Sequence, residues 1–337
     1  MTKTPNGSRE RVSSNALVLR LLLLSGLSVY ADPQTQAPTE AAAQRPFQLS
    51  VNVDLVVLNA TVRDQKGQIS TDLREQDFEV YENGVRQTIR LFRHEDIPVT
   101  VGLVVDHSGS MKRKLGDVIA AARSFVQSSS PQDEMFVVNF NEHVTLGLPA
   151  SIPLSNRPED LTGAISDMPA TGKTALYDAV FKAREQLRSG TLDKKVLIVI
   201  SDGGDNASSH SLAEVLSLAT LSGVLMYTIG IFDDDDPDKN PGVLRQLALA
   251  TGGEAYFPRQ YKDVIAICEG IARDIRHQYT IGYFSDQSLS KNAAHPGPWR
   301  AIRVAARATG KDKLLVRTRS GYMAGGESKA VTHERVK

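Results

Sequence analysis

The sequence predicts an α/β fold, in which a doubly wound, mainly parallel sheet is inserted into a small discontinuous antiparallel β domain. Three observations predict it. Residues 47–95 show the alternating pattern of antiparallel strands. Between residues 99 and 276, apolar runs alternate with amphipathic helical segments, which is typical of a parallel sheet with helices on both faces. After residue 279 the strand pattern returns, in segments too few to form a stable domain alone.

Residues 47–97 are predicted to form the first part of the β domain. Apolar residues occupy every second position of one segment, Val56, Leu58, Ala60 and Val62. Asn83-Gly84 lies between the strand-like segments 78–81 and 85–92, and Asn-Gly is the strongest short signal for a hairpin. The sequence therefore predicts an antiparallel pair here.

Residues 98–277 are predicted to form the α/β domain. Val99–Val105 is almost continuously apolar, as expected of a strand that is covered on both faces. Apolar residues then repeat at helical spacing from Leu115 to Val126. The later elements are predicted as strands 135–140, 196–200, 224–231 and 254–257, and helices 175–187, 211–221, 243–251 and 263–276. In such sheets ligands bind at the carboxyl ends of the strands.

Residues 278–323 are predicted to be the second part of the β domain. They contain three short strand-like segments, Tyr279–Tyr283, Ala301–Ala305 and Leu314–Arg319. Since so few strands cannot bury a face by themselves, we expect them to pair with the strands of residues 47–95. Residues 324–337 are predicted to be a disordered tail.

The N-terminal residues have the layout of an export signal. Basic residues precede an apolar run whose uninterrupted part, Leu21–Val29, is too short to span a bilayer. The sequence predicts a signal peptide at residues 1–31, a mature chain that begins near Asp32, and a linker at residues 32–46. The expected location is the periplasm or the extracellular space, and no stable membrane span is expected in the mature form. The alternative is an N-terminal helix packed in the fold.

Composition excludes several classes of function. Lys plus Arg and Asp plus Glu each number 39, so there is no surplus of cations for nucleic-acid binding. One cysteine excludes a disulfide framework within the chain and a Cys-rich zinc site. The seven histidines include no HExxH motif. Any chemistry must therefore come from oxygen ligands.

Hydroxyl and carboxylate residues follow the predicted strands at one edge of the sheet. The strand at 99–105 is followed by Asp106, Ser108 and Ser110, and the strand at 196–200 by Asp202. Thr174 ends the loop that enters the helix near residue 175. These oxygens can converge on one point, and they suit Mg²⁺, Mn²⁺ or Ca²⁺.

So few direct carboxylates would leave a divalent cation incompletely neutralised. Water would then occupy part of its coordination shell, and a carboxylate from another molecule could replace that water. Such coordination suits the binding of another molecule better than tight structural chelation, and we expect an interaction module and not an enzyme. Mg²⁺ is the expected cation, with Mn²⁺ or Ca²⁺ as the other choices. The expected partner of the module is a protein that presents an Asp or Glu carboxylate.

Three motifs are present here, Asp-x-Ser-x-Ser at 106–110, Gly-x-Thr at 172–174 and Ser-Asp-Gly at 201–203. Together they resemble the von Willebrand factor type A (VWA) domain with its metal-ion-dependent adhesion site, over about residues 98–277. Thr251-Gly252-Gly253 is similar to a late signature of that family. The resemblance implies that Ser108 and Ser110 ligate the metal directly, and that Asp106, Thr174 and Asp202 do so directly or through water. Two motifs flank this region, Asp77–Gly84 and Arg319–Tyr322. They resemble the exported bacterial group called the VWFA-related Acidobacterial domain family.

Two other functions remain open. A structural envelope protein could use the same metal only to stabilise its loops. A serine hydrolase based on Ser108 is the more remote alternative, because His107-Ser108-Gly109 is not the Gly-x-Ser-x-Gly elbow. We expect His107 to lie at the rim of the site. The residues could also simply cap helices, as Asp and Ser often do.

Other features have simpler interpretations. The acidic segment Asp233–Asp236 has Lys239 and Arg245 where a calcium loop needs Gly and Glu, so it is predicted to be a solvated loop. Cys268 lies on an apolar helical face and is predicted to be buried. An exposed sheet face is predicted for five arginines, Arg300, Arg303, Arg307, Arg317 and Arg319.

Overall fold

The computed structural model describes residues 55–94, 96–232, 237–260, 262–285, 299–310 and 313–324. The predicted signal peptide, the linker, the Asp233–Asp236 loop and residues 325–337 of the predicted tail lie outside the described residues. Within the described residues, no helix has both the length and the apolar composition needed to cross a lipid bilayer.

Strands and helices alternate through the middle of the chain and strands flank them on both sides. The strands are β1 (Leu55–Arg63), β2 (Phe78–Glu82), β3 (Val85–Gln87), β4 (Ile89–Arg93), β5 (Val99–Asp106), β6 (Glu134–Phe140), β7 (Val144–Leu146), β8 (Lys194–Ser201), β9 (Leu225–Gly230), β10 (Ala255–Tyr256), β11 (Tyr279–Phe284), β12 (Trp299–Ala306), β13 (Leu315–Arg317) and β14 (Gly321–Met323). The helices are α1 (Leu115–Ser128), α2 (Pro158–Ser166), α3 (Leu176–Gln186), α4 (Leu212–Ser222), α5 (Pro241–Thr251) and α6 (Lys262–Arg276).

The central sheet has the strand order β10-β9-β8-β5-β6-β7. All of its pairs are parallel except β6 with β7 at one edge. All eight residues of β5 are buried, as the continuous apolar run of its sequence predicts. Cys268 is also buried, on α6. The predicted fold class is confirmed, and the predicted strands and helices between residues 99 and 276 end within two residues of the observed ones.

The sequence analysis missed two short elements of this sheet region, β7 and α2. β7 is only three residues long and two of them are exposed, so it carries little apolar signal. α2 does carry a signal, because its buried residues Leu161, Ala164 and Ile165 have helical spacing and Pro158 occupies its first turn.

Strands from the two ends of the described chain pair with each other, as predicted. β11 lies between β1 and β4, and β12 lies between β2 and β14. The register places Leu58 opposite Ile281 and Val80 opposite Val304. We call β1–β4 together with β11–β14 the β unit.

The β unit consists of two four-stranded sheets that share one apolar core. The predicted strand 85–92 is in fact two strands, because β3 belongs to one sheet and β4 to the other, with only Thr88 between them. In the same way, β13 belongs to the sheet of β1 and β14 to the sheet of β2. Strands that cross between sheets in this manner form the corners of a sandwich. The hairpin that the sequence predicts has positive φ at Asn83 (47°) and Gly84 (82°), which is the geometry of a type I′ turn.

A buried carboxylate joins the β unit to the α/β part. Asp274 of α6 has no exposed surface, and it accepts a hydrogen bond of 2.6 Å from the Tyr227 hydroxyl of β9. It also forms ion pairs with Arg63 of β1 (3.2 Å) and with Arg317 of β13. We call these four residues the Asp274 cluster. Since it contains residues of both parts, it fixes α6 against β1 and β13.

The predicted exposure of the arginines is wrong for Arg300 and Arg317. Arg300 is buried and its guanidinium is 2.8 Å from the carboxylate of Glu82, which is also buried. Arg317 is bound to Asp274. The carboxylates that neutralise them are distant in sequence, so spacing could not reveal them. Arg303 is exposed, as predicted.

Candidate metal centre

Adjacent parallel strands bring Asp106 and Asp202 to the same edge of the central sheet. β5 and β8 pair in a register that places Val105 opposite Ile200. Asp106 therefore ends β5 beside Ser201, whose hydroxyl donates a hydrogen bond of 2.6 Å to the Asp106 carboxylate. Asp106 and Asp202 are both buried.

The loop after β5 turns its hydroxyls toward the two carboxylates. The Ser108 backbone N–H donates to Asp106 Oδ1 at 2.8 Å, which fixes the start of this loop. The Oγ atoms of Ser108 and Ser110 are 3.1 Å apart, and Ser110 Oγ donates to Asp202 Oδ2. Four of the five predicted site residues thus form one connected group.

The fifth predicted site residue, Thr174, lies in the loop before α3. Backbone hydrogen bonds hold this loop against the loop after β5. The Gly109 N–H donates to the Gly172 carbonyl at 3.1 Å, and the Thr171 N–H donates to the His107 carbonyl at 2.8 Å. Thr174 itself is buried. The structure therefore brings together the three loops that carry the predicted site residues.

Two glycines at this edge have conformations that other residues rarely adopt. Gly203, directly after Asp202, has φ of 85°, and a Cβ there would lie 2.3 Å from the Asn240 carbonyl oxygen. Gly172 has φ of 81°, and a Cβ would lie 1.7 Å from an oxygen of Glu142. Both positions therefore favour glycine because of their positive φ, independently of any ligand.

The electrostatics of the site favour a cation. Burial raises the pKa of Asp106 to about 7, and the negative charge of nearby Asp202 adds to this shift. A bound cation would offset both effects. Among the residues that the structure describes, no three His, Cys, Asp or Glu side chains come together in a way that could hold a metal ion. A metal here would therefore depend on the serine and threonine hydroxyls, and this set of hard oxygen donors fits Mg²⁺ or a similar cation.

His107 does not lie at the rim of the site, so that expectation is wrong. The residue is fully buried, and its Nδ1 is 2.8 Å from the Met168 carbonyl oxygen. Burial also lowers the pKa of its imidazole. His107 lies inside because the chain on both sides of it is inside, since Asp106 and Ser108 are buried too.

Sequence reasoning missed two residues that support the predicted ligands. Ser201 holds the Asp106 carboxylate, and its signal was available, since it is a polar residue at the end of the apolar strand β8. Asn206 accepts a hydrogen bond of 2.9 Å from the Thr174 backbone N–H. It lies in an irregular loop, and its spacing from Thr174 carried no signal.

The loop that follows Asp202 is fixed to the start of α3 by Asp178. We call residues 205–211 the β8 loop. The Asp178 carboxylate accepts hydrogen bonds of 2.9 Å from the backbone N–H groups of Ser209 and His210, and the His210 ring lies 2.6 Å from it. Partial burial acts to raise the pKa of Asp178, but these hydrogen bonds outweigh it and lower the pKa to about 2.

The stabilisation from Asp178 is expected to be lost in acid. Because the folded-state pKa is about 2 and the unfolded value is near 4, this stabilisation is complete above about pH 4 and disappears as the pH falls toward 2. After allowance for solvent screening, it is on the order of 1 kcal/mol. Urea unfolding between pH 5 and pH 2.5 should show a shallower pH dependence in Asp178→Asn than in the wild type. Asp117→Asn, in the first turn of α1, is the control, and an unchanged slope in Asp178→Asn would contradict the assignment.

The comparisons with known proteins agree with this fold. Residues 100–267 match the von Willebrand factor type A domain. The chain therefore carries a VWA domain, as the resemblance of its motifs predicts. The narrower resemblance to the exported bacterial group stays a prediction. A search of curated protein sequences gave no match.

Several solved structures are similar, all at low identity. A von Willebrand factor type A protein from Catenulispora acidiphila is 13% identical, with 81% of this chain and 74% of that chain covered and a TM-score of 0.49. The vWF domain of the type V pili tip protein Mfa5 from Porphyromonas gingivalis is 14% identical, with 53% and 95% covered and a TM-score of 0.46. The pilus adhesin SpaC from Lactobacillus rhamnosus GG is 13% identical, with 73% and 47% covered and a TM-score of 0.45.

Proposed function

We propose that this protein is an exported interaction module that binds a partner protein through a divalent cation. Mg²⁺ is the cation that we propose, held by Asp106, Ser108, Ser110, Thr174 and Asp202. The observation that carries the proposal is the pair of buried carboxylates, Asp106 and Asp202, connected through two serine hydroxyls at one edge of the sheet. A cation would neutralise these carboxylates and satisfy the hydroxyl oxygens together.

The partner would supply a carboxylate to the bound cation. Two carboxylates and three hydroxyls would leave at least one position of a six-coordinate shell open. An oxygen atom of another molecule could bind the cation there. Ser110 is exposed, so a ligand can approach the site from solvent. Lys112 and Lys173 are exposed in the loops of the site and would favour an acidic partner. Protein interaction is also a general role of VWA domains.

The metal part of the proposal is tested by replacing Ser108 and Ser110 together with alanine. This change removes two hydroxyl ligands and leaves the apolar core intact, so the variant should fold. Affinity for Mg²⁺ and Mn²⁺, measured by titration calorimetry, should fall by more than about 100-fold. Mutation of a residue that only hydrogen-bonds to a metal ligand already lowers metal affinity by roughly 10- to 100-fold, and the loss of two ligands should cost more. Asp202→Ala should have a similar effect through lost charge.

The matched control for this experiment is a double variant of Ser166 and Ser189. Both are exposed, and each donates its hydroxyl to a backbone carbonyl of its own helical segment. The control should keep wild-type metal affinity. Unchanged affinity in the Ser108 and Ser110 variant would refute the proposed site. Helix capping does not explain these serines, because the Ser108 side chain caps no helical turn and the Ser110 hydroxyl bonds to Asp202.

A structural envelope protein is the alternative, in which the metal only stabilises the loops. A pull-down from the envelope fraction, with and without a chelator, separates the two functions. Loss of a bound partner on chelation supports the interaction module, whereas unchanged partner binding with lower thermal stability supports the structural role. The geometry does not favour the hydrolase alternative, because His107 is fully buried and the Ser108 hydroxyl bonds to Ser110 and not to the imidazole.

A further inference from the structure

Helix α3, which follows Thr174, begins without a capping side chain of its own. Its N-cap residue is Ala175, which has no side-chain acceptor. The first N–H groups of a helix have no partner inside the helix and need acceptors from elsewhere. The position of Thr174 and of the first turn of α3 therefore depends on neighbouring segments.

The β8 loop supplies these acceptors. The Thr174 N–H donates to Asn206 Oδ1 at 2.9 Å, and the Tyr177 N–H donates to Asp205 Oδ2 at 3.0 Å. The Asp178 N–H donates to Ser208 Oγ at 3.1 Å. The side chains of Asp205 and Ser208 thus replace the missing N-cap, and the side chain of Asn206 binds Thr174, which precedes the helix.

Both the N–H and the carbonyl of Thr174 form hydrogen bonds with this loop. Besides the bond to the Asn206 side chain, the Thr174 carbonyl accepts hydrogen bonds from the N–H groups of Asn206 (2.9 Å) and Ala207 (3.0 Å). A β-branched side chain has few rotamers, so the position of the Thr174 hydroxyl follows that of its backbone. The Asn206 side chain therefore helps to set where this hydroxyl lies relative to Asp202, which lies three residues before the β8 loop begins.

We propose that Asn206 is a positioning residue for the metal ligand Thr174. This inference rests on the proposed function of the site. Asp205 and Ser208 bind N–H groups further into α3, so Asn206 is the side chain of this loop that acts on Thr174 itself. Asn206 is exposed, so its truncation leaves no cavity, and any effect comes through the lost acceptor.

The test compares Asn206→Ala, which removes the acceptor, with Asn206→Asp, which keeps it. Affinity of the full chain for Mg²⁺ and Mn²⁺ should fall about three- to tenfold in Asn206→Ala, the range expected for one hydrogen bond. Asn206→Asp should bind at least as tightly as the wild type. The matched control is Ser211→Ala, which removes the side-chain cap of α4 and should leave metal affinity unchanged.

Hydrogen exchange on the metal-free protein separates this inference from the proposed function. The Thr174 amide should exchange about three- to tenfold faster in Asn206→Ala than in the wild type. The positioning role would be overturned if Asn206→Ala left either the exchange of the Thr174 amide or the metal affinity unchanged. It would also be overturned if Asn206→Asp bound the metal as weakly as Asn206→Ala. If the wild type binds no metal while exchange still responds, then the proposed function fails and Asn206 only fixes the Thr174 backbone.

Discussion

Removal of residues 279–337 is expected to unfold the N-terminal strands β1–β4. β11 and β13 are the two neighbours of β1 in its sheet, and β12 joins β2 to β14. The truncated chain would retain β1 and β4 without a common partner, and β2 paired only with the three-residue β3. An isolated two-stranded pair is marginally stable at best, so the core of the β unit would be lost.

Hydrogen exchange measured by mass spectrometry would test this expectation. Amides of β1 and β2 should lose most of their protection in the truncated chain. A chain that ends at residue 324 is the control, because the described strands end at Met323 and their pairing is unchanged. Equal protection of β1 in the two truncated chains would show that the N-terminal strands fold without the C-terminal ones.

The fold could be predicted from the sequence because its determinants are local or periodic. The continuous apolar pattern of β5 and the helical spacing in α1 and α6 reflect burial that each element must achieve wherever it packs. The discontinuity of the β unit could be predicted from the number of strands after residue 279. Three short strands cannot bury a face alone, so they must pair with the strands before residue 95. The division between β3 and β4 could not be predicted, because a strand that changes sheets keeps the same alternation.

The candidate site was predictable to the extent that it follows from topology. The carboxyl ends of parallel strands lie at one edge of a sheet, so the strand assignments alone place Asp106 and Asp202 at the same edge. That they are neighbours there depends on the pairing of β5 with β8, which the sequence does not reveal. The burial of His107 and the hydrogen bond from Thr174 to Asn206 depend on how irregular loops fold over that edge. Such contacts have no period in the sequence, and for that reason they were missed.

The Asp274 cluster was also invisible in the sequence, although it contributes to the fold. Its members come from α6, β9, β1 and β13, which are separated by up to 254 residues between Arg63 and Arg317. On its helix, Asp274 is a buried charge among apolar residues such as Ile271 and Ile275. Burial of an unpaired carboxylate is strongly unfavourable, so a buried aspartate on an apolar helical face predicts a cationic partner even where the partner cannot be named.

Replacement of Asp274 by alanine is accordingly expected to destabilise the folded protein by about 3 kcal/mol, the lower end of the range for breaking a buried ion pair. Arg63 is partly exposed and Arg317 keeps a second carboxylate, Glu254, which limits the loss. The buried Tyr227 hydroxyl would lose the acceptor that Asp274 provides.

Urea unfolding at neutral pH would measure the effect of Asp274→Ala. Asp274→Asn is expected to cost less, because an amide of the same size can still accept a hydrogen bond from Tyr227. The control is Asp263→Asn in the first turn of the same helix, which should change the free energy of unfolding by less than about 0.5 kcal/mol. If Asp274→Ala were as stable as that control, then the cluster would contribute no net stability, and the apolar contacts of α6 alone would hold this helix in place.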